Sequence, residues 1–311
     1  MKKISLIVSA YNEEQGIEEF HKEADRILSG YVRTEEGSCY TYDFWFVNDG
    51  SRDRTGELLS KIRSENPDTV KIIEFSRNFG HEAAMCAGLD NADGDYLIFM
   101  DADLQHPPAL IPEIMKTFRG GAEVISMVRT ENKDAGKWKN VTSELFYSLI
   151  NKMSETHMEP SASDFFALSE KPVKVLRENY REKIRFIRGY VQNIGFEKAT
   201  VSYEAAKRVA GESHYGFKKL FRLSMDTIVC FSDMPLAAGF AAGIITGAAA
   251  LIMLIVKLIG GSLHGTDAVI VVMLFMFAVL FMLTGIIGRY LSAMFAEIKD
   301  RPIYIIEDIK K

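Results

Sequence analysis

The sequence predicts an α/β fold with a mostly parallel sheet, followed by two helices that are long enough to cross a membrane. Two observations predict this fold. In the first 125 or so residues, apolar runs alternate with polar or glycine-bearing turns and with helix-compatible segments. Further along the chain, two uncharged apolar runs have the length of a membrane span. The total of 311 residues exceeds one average domain and leaves room for both parts.

Five apolar runs are the predicted strands of the sheet. They are Ile4 to Val8, Phe44 to Val47, Val70 to Phe75, Tyr96 to Met100 and Glu123 to Val128. Helix-compatible segments lie between several of them, which indicates parallel strands with helices on both faces. Ligands bind outside the carboxyl ends of the strands in such sheets, so the loops after the strands are the candidate site.

The first four strand ends all carry side chains that can donate hydrogen bonds or carry charge. The segments are Tyr11-Asn12-Glu13-Glu14, Asn48-Asp49-Gly50-Ser51, Ser76-Arg77-Asn78-Phe79-Gly80-His81 and Asp101-Ala102-Asp103. Because the strands are predicted to be parallel, we expect these segments to converge on one rim of the sheet.

The fourth strand end predicts a cation site. Asp101 and Asp103 close a buried strand, and two neighbouring carboxylates there cost desolvation energy unless a cation or hydrogen bonds compensate them. Gln105 adds another hard oxygen ligand. Mg²⁺ or Mn²⁺ held by a few such oxygens keeps positions for water and for the phosphates of a nucleotide. A surface turn is the alternative, because Asp and Pro are common turn residues.

The two later apolar runs predict a pair of transmembrane helices. Pro235 to Val256 has about 22 residues and Ala268 to Ile287 about 20, close to what a helix needs to cross a bilayer. The alternative, a buried hairpin of a soluble protein, requires two all-round apolar helices side by side. The short glycine-containing connector from Lys257 to Asp267 places both flanks on one side of the membrane.

Charge and cysteine content indicate a cytoplasmic location for both flanks. Basic residues cluster before the first run and after the second, which is typical of cytoplasmic segments. The net charge of −5 argues against general nucleic-acid binding. The start of the chain imitates a signal peptide, but its apolar stretch reads better as a first strand. Three scattered cysteines without metal-ligand spacing fit a reducing compartment: Cys39, Cys86 and Cys230.

Six segments in order carry a resemblance to a known family. They are Tyr11-Asn12-Glu13-Glu14, Asn48 to Thr55, Ser76 to His81, Asp101 to Pro108, Arg185-Phe186-Ile187-Arg188-Gly189 and Gly211-Glu212-Ser213. In these segments the chain resembles the inverting family 2 glycosyltransferases, on the branch of dolichol-phosphate mannose synthases and bacterial polyprenyl-phosphate (bactoprenol) glucosyltransferases. The resemblance implies the nucleotide-sugar-binding fold called GT-A.

The resemblance also implies a division of roles at the rim. Tyr11, Glu13 and Asp49 would hold the base and ribose, and Asp103 with Gln105 would hold the divalent metal. The implied nucleotide-binding residues together are Tyr11, Glu13, Asp49, Arg77 and Asp101. Without the family, Asp49 could be an ordinary turn residue and Tyr11 a packing residue.

On the acceptor side, the resemblance implies Asp164 as the catalytic base, because it aligns with the family's D-F-R segment. Phe166 replaces the arginine of that segment, which puts the donor sugar and a phosphate contact in question. A lipid phosphate is largely dianionic at cytoplasmic pH, so Asp164 could instead orient the acceptor or the metal. Arg188 and Arg208 are the candidate phosphate partners; Arg185 is a third, with a helix surface as its alternative.

Two further helices are predicted between the rim and the first span. An apolar-periodic helix from about Ser143 to Met153 could be a lid or part of a solvated basic face. Apolar residues from Tyr215 to Phe231 recur at helical spacing, which is typical of an amphipathic helix on the inner leaflet or of a core helix.

The predicted organisation is a GT-A catalytic domain at residues 1–210, a juxtamembrane amphipathic region at 211–233, two transmembrane helices at 234–292 and a cytoplasmic tail at 293–311. The resemblance implies transfer of a sugar, with glucose from UDP-glucose favoured, to a polyprenyl phosphate such as undecaprenyl phosphate. Other donors and a homo-oligomer stay open. The alternatives are a processive polysaccharide synthase, whose Q-x-x-R-W segment is not found at Trp45 or Trp138, and a nucleotide-sugar-binding membrane scaffold without turnover.

Overall fold

The structure of the protein is a computed structural model. It describes residues 1–129, 162–183, 185–204 and 266–311, together with positions 241, 244–246, 248 and 252. The chain divides into two compact units. The first comprises residues 1–151, 156–215 and 302–311, and the second comprises residues 152–155 and 216–301.

The first unit is built on an eight-stranded sheet with the order β7-β5-β6-β4-β1-β2-β3-β8. The strands are β1 (Lys2–Ala10), β2 (Tyr40–Asn48), β3 (Val70–Phe75), β4 (Tyr96–Asp101), β5 (Val124–Arg129), β6 (Ala162–Ser169), β7 (Lys198–Tyr203) and β8 (Ile306–Lys310). All five predicted strands are present, most of them longer at their ends than their apolar runs.

Within the described part of the chain, six helices accompany this sheet. They are α1 (Ile17–Val32), α2 (Thr55–Glu65), α3 (His81–Asn91), α4 (Ile111–Arg119), which follows a 3₁₀ turn at Pro108–Leu110, α5 (Glu170–Asn179) and α6 (Ile187–Asn193). The central strand β1 is covered on both faces, so consecutive residues such as Leu6, Ile7 and Val8 are all buried. Gly88 allows helix α3 to lie close to β1. A Cβ atom at this position would come within 2.2 Å of the Ile7 side chain.

The sheet is mixed, whereas the sequence predicts a mostly parallel one. Strands β4, β1, β2 and β3 are parallel neighbours, as are β5 and β7. Strand β6 is antiparallel to both β4 and β5, with Phe166 opposite Phe99. Because β6 runs in the opposite direction, its beginning lies at the edge where β4 ends. This arrangement brings Asp164 to the rim that carries Asp101.

The segment 306–310 also departs from the sequence prediction, which places it in a tail at residues 293–311. It forms β8 and pairs antiparallel with β3, so Ile73 lies opposite Ile309. Lys310 Nζ lies 2.8 Å from Glu74 Oε1. The edge of β3 offers unpaired main-chain groups, and a short extended segment satisfies them. This stretch is therefore part of the sheet domain.

The second unit contains α7 (Thr266–Lys299), which includes the second predicted span and continues past residue 292. Among the described residues, the segment Phe275–Lys299 is the one that has the length and apolar composition of a membrane span. The predicted pair of spans is not confirmed, because most of Pro235 to Val256 lies outside the described residues. The predicted helices at 143–153 and 215–231 and the candidate residue Arg208 lie outside them as well.

Candidate active site

The side chain of Asp49, immediately after β2, is enclosed by the loop that follows β3. Asp49 is 3% exposed. Its Oδ1 accepts the N–H of Phe79 at 2.6 Å, and its Oδ2 accepts the N–H of Gly80 and the side-chain amide of Asn78, both at 2.9 Å. Burial raises the pKa of Asp49, and the two main-chain donors oppose that rise. The carboxylate therefore holds the 78–80 loop in a fixed position.

Gly50 lets the two loops approach each other this closely. It has a φ of 62°, and a Cβ atom there would lie 2.3 Å from the carbonyl carbon of Arg77. Arg77 itself is exposed at the rim, and its guanidinium lies 3.9 Å from the centre of the Phe79 ring. The predicted nucleotide residues Asp49 and Arg77 thus belong to one interlocked pair of loops.

The loop after β1 is tied to the loop after β2. The N–H of Glu13 donates to Thr55 Oγ1 at 2.8 Å, and the Asn12 side-chain carbonyl accepts the N–H of Arg52 at 2.9 Å. Tyr11 stands at this point with 42% of its surface exposed. An exposed aromatic ring on a fixed loop can stack on a nucleobase. The structure therefore places Tyr11 and Glu13 beside the segment that follows Asp49.

Asp101, at the end of β4, is the centre of a hydrogen-bonded group. Its Oδ1 accepts the Ser9 hydroxyl at 3.0 Å, and its own N–H donates to His106 Nδ1 at 3.0 Å. Ser9 Oγ also lies 3.0 Å from His81 Nδ1, the first residue of α3. Since the Ser9 hydroxyl donates to Asp101, His81 Nδ1 is the donor in this second contact. The Ser9 hydroxyl, itself held by His81, fixes the Asp101 carboxylate, and His106 fixes the Asp101 main chain.

The turn after Asp101 fits a hard divalent cation. Asp103 is partly exposed, its Oδ1 accepts the N–H of Gln105 at 3.0 Å, and Leu104 between them has a φ of 60°. No three His, Cys, Asp or Glu side chains gather as a metal-binding group in the described part of the chain. A cation held by one or two protein oxygens, with water and substrate phosphate completing its shell, needs no such group.

Asp164 lies at the same rim, where β6 begins. Its Oδ2 is 3.7 Å from His81 Nε2, and its Oδ1 is 3.8 Å from Arg188 Nη1. Burial lowers the pKa of His81, but the negative charges of Asp101 and Asp164 outweigh it and raise the pKa above its ordinary value. His81 therefore lies between Asp101, which the sequence predicts to bind the nucleotide, and Asp164, which it predicts to act in catalysis.

Glu82 completes this group from α3. Its Oε2 accepts the N–H of Ile187 at 2.9 Å, which fixes the start of α6 just before Arg188. Burial, with the neighbouring charge of Asp164, raises the pKa of Glu82 to about 7. Glu82 positions the helix that presents Arg188.

Four of these residues have no role in the sequence prediction: Ser9, His81, Glu82 and His106. His81 and His106 lie inside two of the segments that carry the family resemblance. Their position in these segments could have identified them as site residues. Ser9 comes directly after the first predicted strand, Ile4 to Val8, and Glu82 lies in α3. Only the packing of α3 against the sheet shows that these side chains reach the rim.

The surroundings of two residues, Arg185 and Phe166, are different from those that the sequence suggested. Arg185 is not on a helix surface: it precedes α6, is 9% exposed and donates from Nη1 to Cys86 Sγ at 3.4 Å. Phe166, which stands where the family has arginine, is 2% exposed and stacks on Phe99 with ring centres 4.5 Å apart. Phe166 thus packs in the core beneath the rim and does not form part of the rim surface.

A mixed sheet flanked by helices, with acidic residues after β2 and β4 at one rim, is the arrangement expected of a nucleotide-sugar-dependent transferase of the GT-A type. The family model "Glycosyl transferase family 2" matches residues 5–177, more than half of the chain. The chain belongs to this family and is a glycosyltransferase.

Full-length relatives agree with this assignment. The uncharacterized glycosyltransferase YkcC of Bacillus subtilis is 38% identical over 97% of this chain and 93% of its own. The prophage bactoprenol glucosyl transferase homolog of Escherichia coli K12 is 32% identical over 99% of this chain and 100% of its own. Among solved structures, glucosyl-3-phosphoglycerate synthase of Mycobacterium tuberculosis aligns with a TM-score of 0.47 at 17% identity, covering 73% of this chain and 76% of that one.

Proposed function

We propose that the protein is a membrane-bound inverting glycosyltransferase that moves glucose from UDP-glucose to a polyprenyl phosphate such as undecaprenyl phosphate. The observation that carries the proposal is that Asp101 and Asp164 both lie beside His81 at one rim of the sheet, with Arg188 beside Asp164. The donor and the acceptor are supported by relatives named bactoprenol glucosyl transferases, which match nearly the whole chain.

The nucleotide would bind at the loops after β1, β2 and β3. Tyr11 offers an exposed ring for the base, and Glu13 offers a carboxylate for the ribose hydroxyls. Asp49 keeps the 78–80 loop in place, and Arg77 offers an exposed cation beside it. Asp101 would fix the ribose and diphosphate end.

Asp103 and Gln105 are the residues that would hold Mg²⁺ or Mn²⁺ next to the diphosphate. Their oxygens are of the hard type that these cations take, and the turn at Leu104 brings the two residues together. When bound, the cation would offset the negative charge that builds on the departing diphosphate.

In the proposed reaction, a phosphate oxygen of the lipid attacks the anomeric carbon of the sugar. A new carbon–oxygen bond forms as the bond to the nucleoside diphosphate breaks, so the configuration inverts and the diphosphate carries away the electron pair. Asp164 would orient the acceptor or accept a proton from its monoanionic form. Arg188, and Arg208 beyond the described residues, would bind phosphate oxygens through their guanidinium groups.

The proposed location is the cytoplasmic membrane, with several spans and with the catalytic domain and both termini in the cytoplasm. The apolar composition of α7 supports at least one span. The proposed boundaries are residues 1–210 for the catalytic domain, 211–233 for a membrane-surface region and 234–292 for two spans. Of residues 293–311, the strand β8 joins the catalytic domain.

The test uses the full chain in detergent with undecaprenyl phosphate, Mg²⁺ or Mn²⁺, and a panel of radiolabelled nucleotide sugars. Transfer of label into the organic phase is compared between the wild type, Asp103→Asn and Asp164→Asn. Asp68→Asn makes the same chemical change at an exposed loop before β3 and is the matched control. We expect cation-dependent labelling from UDP-glucose, lost in the first two variants and retained in the third.

Other outcomes identify the competing functions. Label that accumulates in a lengthening water-soluble polymer would indicate a processive synthase. Tight nucleotide binding without transfer to any lipid phosphate would indicate a scaffold or a different acceptor. Equal labelling by Asp103→Asn and the wild type would overturn the assigned cation site.

A further inference from the structure

The segment that precedes β8 contacts the loop that encloses Asp49. The carbonyl oxygen of Ile305 accepts the N–H of Ser76 at 3.1 Å, which extends the β3–β8 pairing to the start of that loop. Next to this bond, the ring of Tyr304 stacks on Phe75 with centres 5.2 Å apart and planes 8° apart. Tyr304 and Ile305 lie more than a hundred residues beyond the part of the chain that the family model matches, which ends at residue 177.

The contact continues from Phe75 into the loop. Phe75 meets the edge of Phe79 with ring centres 5.7 Å apart. Phe79 in turn donates its N–H to Asp49 at 2.6 Å and carries the guanidinium of Arg77 over its ring. Tyr304 therefore supports, through two aromatic rings, the loop on which Asp49 and Arg77 depend.

A second contact fixes the orientation of the Tyr304 ring. Its hydroxyl donates to Asp90 Oδ2 at 2.7 Å, and Asp90 Oδ1 accepts Arg181 Nη1 at 2.6 Å. Asp90 lies near the end of α3, whose first residue is His81. Tyr304 thus bridges the loop after β3 and the helix that follows that loop.

We propose that Tyr304, in the segment just before β8, is a positioning residue for nucleotide binding, which holds the 76–80 loop in its binding geometry. This inference rests on the proposed function, because it gives the loop at Asp49 and Arg77 a role in binding the nucleotide. The competing view is that β8 only stabilises the sheet. The two views differ in whether loss of the Tyr304 ring changes nucleotide binding more than loss of a contact made by β8 itself does.

Lys310 provides the matched control. It lies in β8, six residues after Tyr304, pairs with Glu74 at 2.8 Å and reaches Ser60 at 3.3 Å. Its β3 partner is Ile72, whereas Tyr304 contacts Phe75, the last residue of β3, next to the loop. Lys310→Ala therefore weakens the attachment of β8 without touching the aromatic contacts.

The experiment measures UDP and GDP binding by calorimetry in the presence of Mg²⁺, with the full chain in detergent. Asp101→Asn, Tyr304→Ala, Tyr304→Leu, Tyr304→Phe and Lys310→Ala are compared with the wild type. We expect Tyr304→Ala and Tyr304→Leu to raise the Kd of the nucleotide that binds by about three- to tenfold, because an aromatic contact that orders the loop is lost. Tyr304→Phe keeps the stack and should change the Kd less than about threefold, and Lys310→Ala should leave it unchanged.

Steady-state kinetics give the second readout. In the Tyr304→Leu variant, KM for the nucleotide sugar should rise by the same factor as the Kd, while kcat at saturating donor stays near the wild-type value. An unchanged Kd in Tyr304→Leu, or an equal rise in Tyr304→Leu and Lys310→Ala, overturns the role of Tyr304. Lack of UDP and GDP binding in the wild type, or unaltered binding in Asp101→Asn, instead contradicts the proposed nucleotide site itself.

Discussion

The protonation of Glu82 should make the stability of the catalytic domain depend on pH. The ordinary pKa of a glutamate is 4.5, and burial together with the charge of Asp164 raises that of Glu82 to about 7. The folded protein therefore binds a proton at Glu82 more tightly than the unfolded chain does. The stabilisation is fully present below pH 4.5 and is lost as the pH rises through 7.

The size of this effect follows from the two pKa values. At about 1.4 kcal/mol for each factor of ten in proton affinity, the difference amounts to roughly 3 kcal/mol. Glu82 keeps partial contact with solvent, and screening lowers this to roughly 2 kcal/mol. For a domain of this length, the corresponding change in Tm is roughly 4–8 °C.

Glu82→Gln removes the titrating proton but keeps an oxygen that can accept the N–H of Ile187. The assay is thermal unfolding of the full chain in detergent between pH 5 and 8.5, followed by tryptophan fluorescence. The Tm of the wild type should fall relative to that of Glu82→Gln as the pH rises. Glu178→Gln makes the same change at an exposed position of α5 and should run parallel to the wild type. A constant difference between wild type and Glu82→Gln across the range would refute the reasoning.

Three further variants test other parts of the site. Asp49→Asn leaves at least one of the N–H groups of Phe79 and Gly80 facing an amide hydrogen, so the free energy of unfolding should fall by about 2 kcal/mol. The measurement is a lower Tm than that of the wild type, which the control Asp68→Asn should not show. Arg188→Lys keeps the charge but not the planar fork, so kcat/KM for transfer should fall about tenfold with unchanged Tm; full activity would remove Arg188 from the reaction. Phe166→Arg places a guanidinium against Phe99, so the free energy of unfolding should fall by about 3 kcal/mol or more, which is measured as a lower Tm. An unaltered Tm would show that residue 166 reaches solvent.

The parallel half of the sheet was predictable because its strands are continuous apolar runs that end in polar loops. A strand that is covered on both faces has apolar residues at every position rather than at every second one, and residues such as Ile4, Val8 and Ile98 are indeed fully buried. The same loops gave Asp49, Asp101 and Asp103 as rim residues, because the carboxyl ends of parallel strands must meet at one edge.

The antiparallel strands were not predictable from local pattern. β8 reads Ile306-Glu307-Asp308-Ile309-Lys310, which has three charged residues in five and no apolar run. Its extended conformation comes from the partner that β3 offers. Likewise, the neighbours of Glu82 come from α3, β6 and α6, and the distances along the chain between them are too long for any spacing rule.

The composition of β8 also has a consequence for solubility. Without it, β3 would be the outermost strand, and its sequence Val70-Lys71-Ile72-Ile73-Glu74-Phe75 is mostly apolar with free main-chain groups along one side. Such an edge can recruit a strand from another molecule and begin aggregation. β8 covers it and presents a shorter, charged edge in its place, which is a poorer template for association. A shortened protein that lacks residues 302–311 should therefore self-associate, even when its catalytic residues are all present.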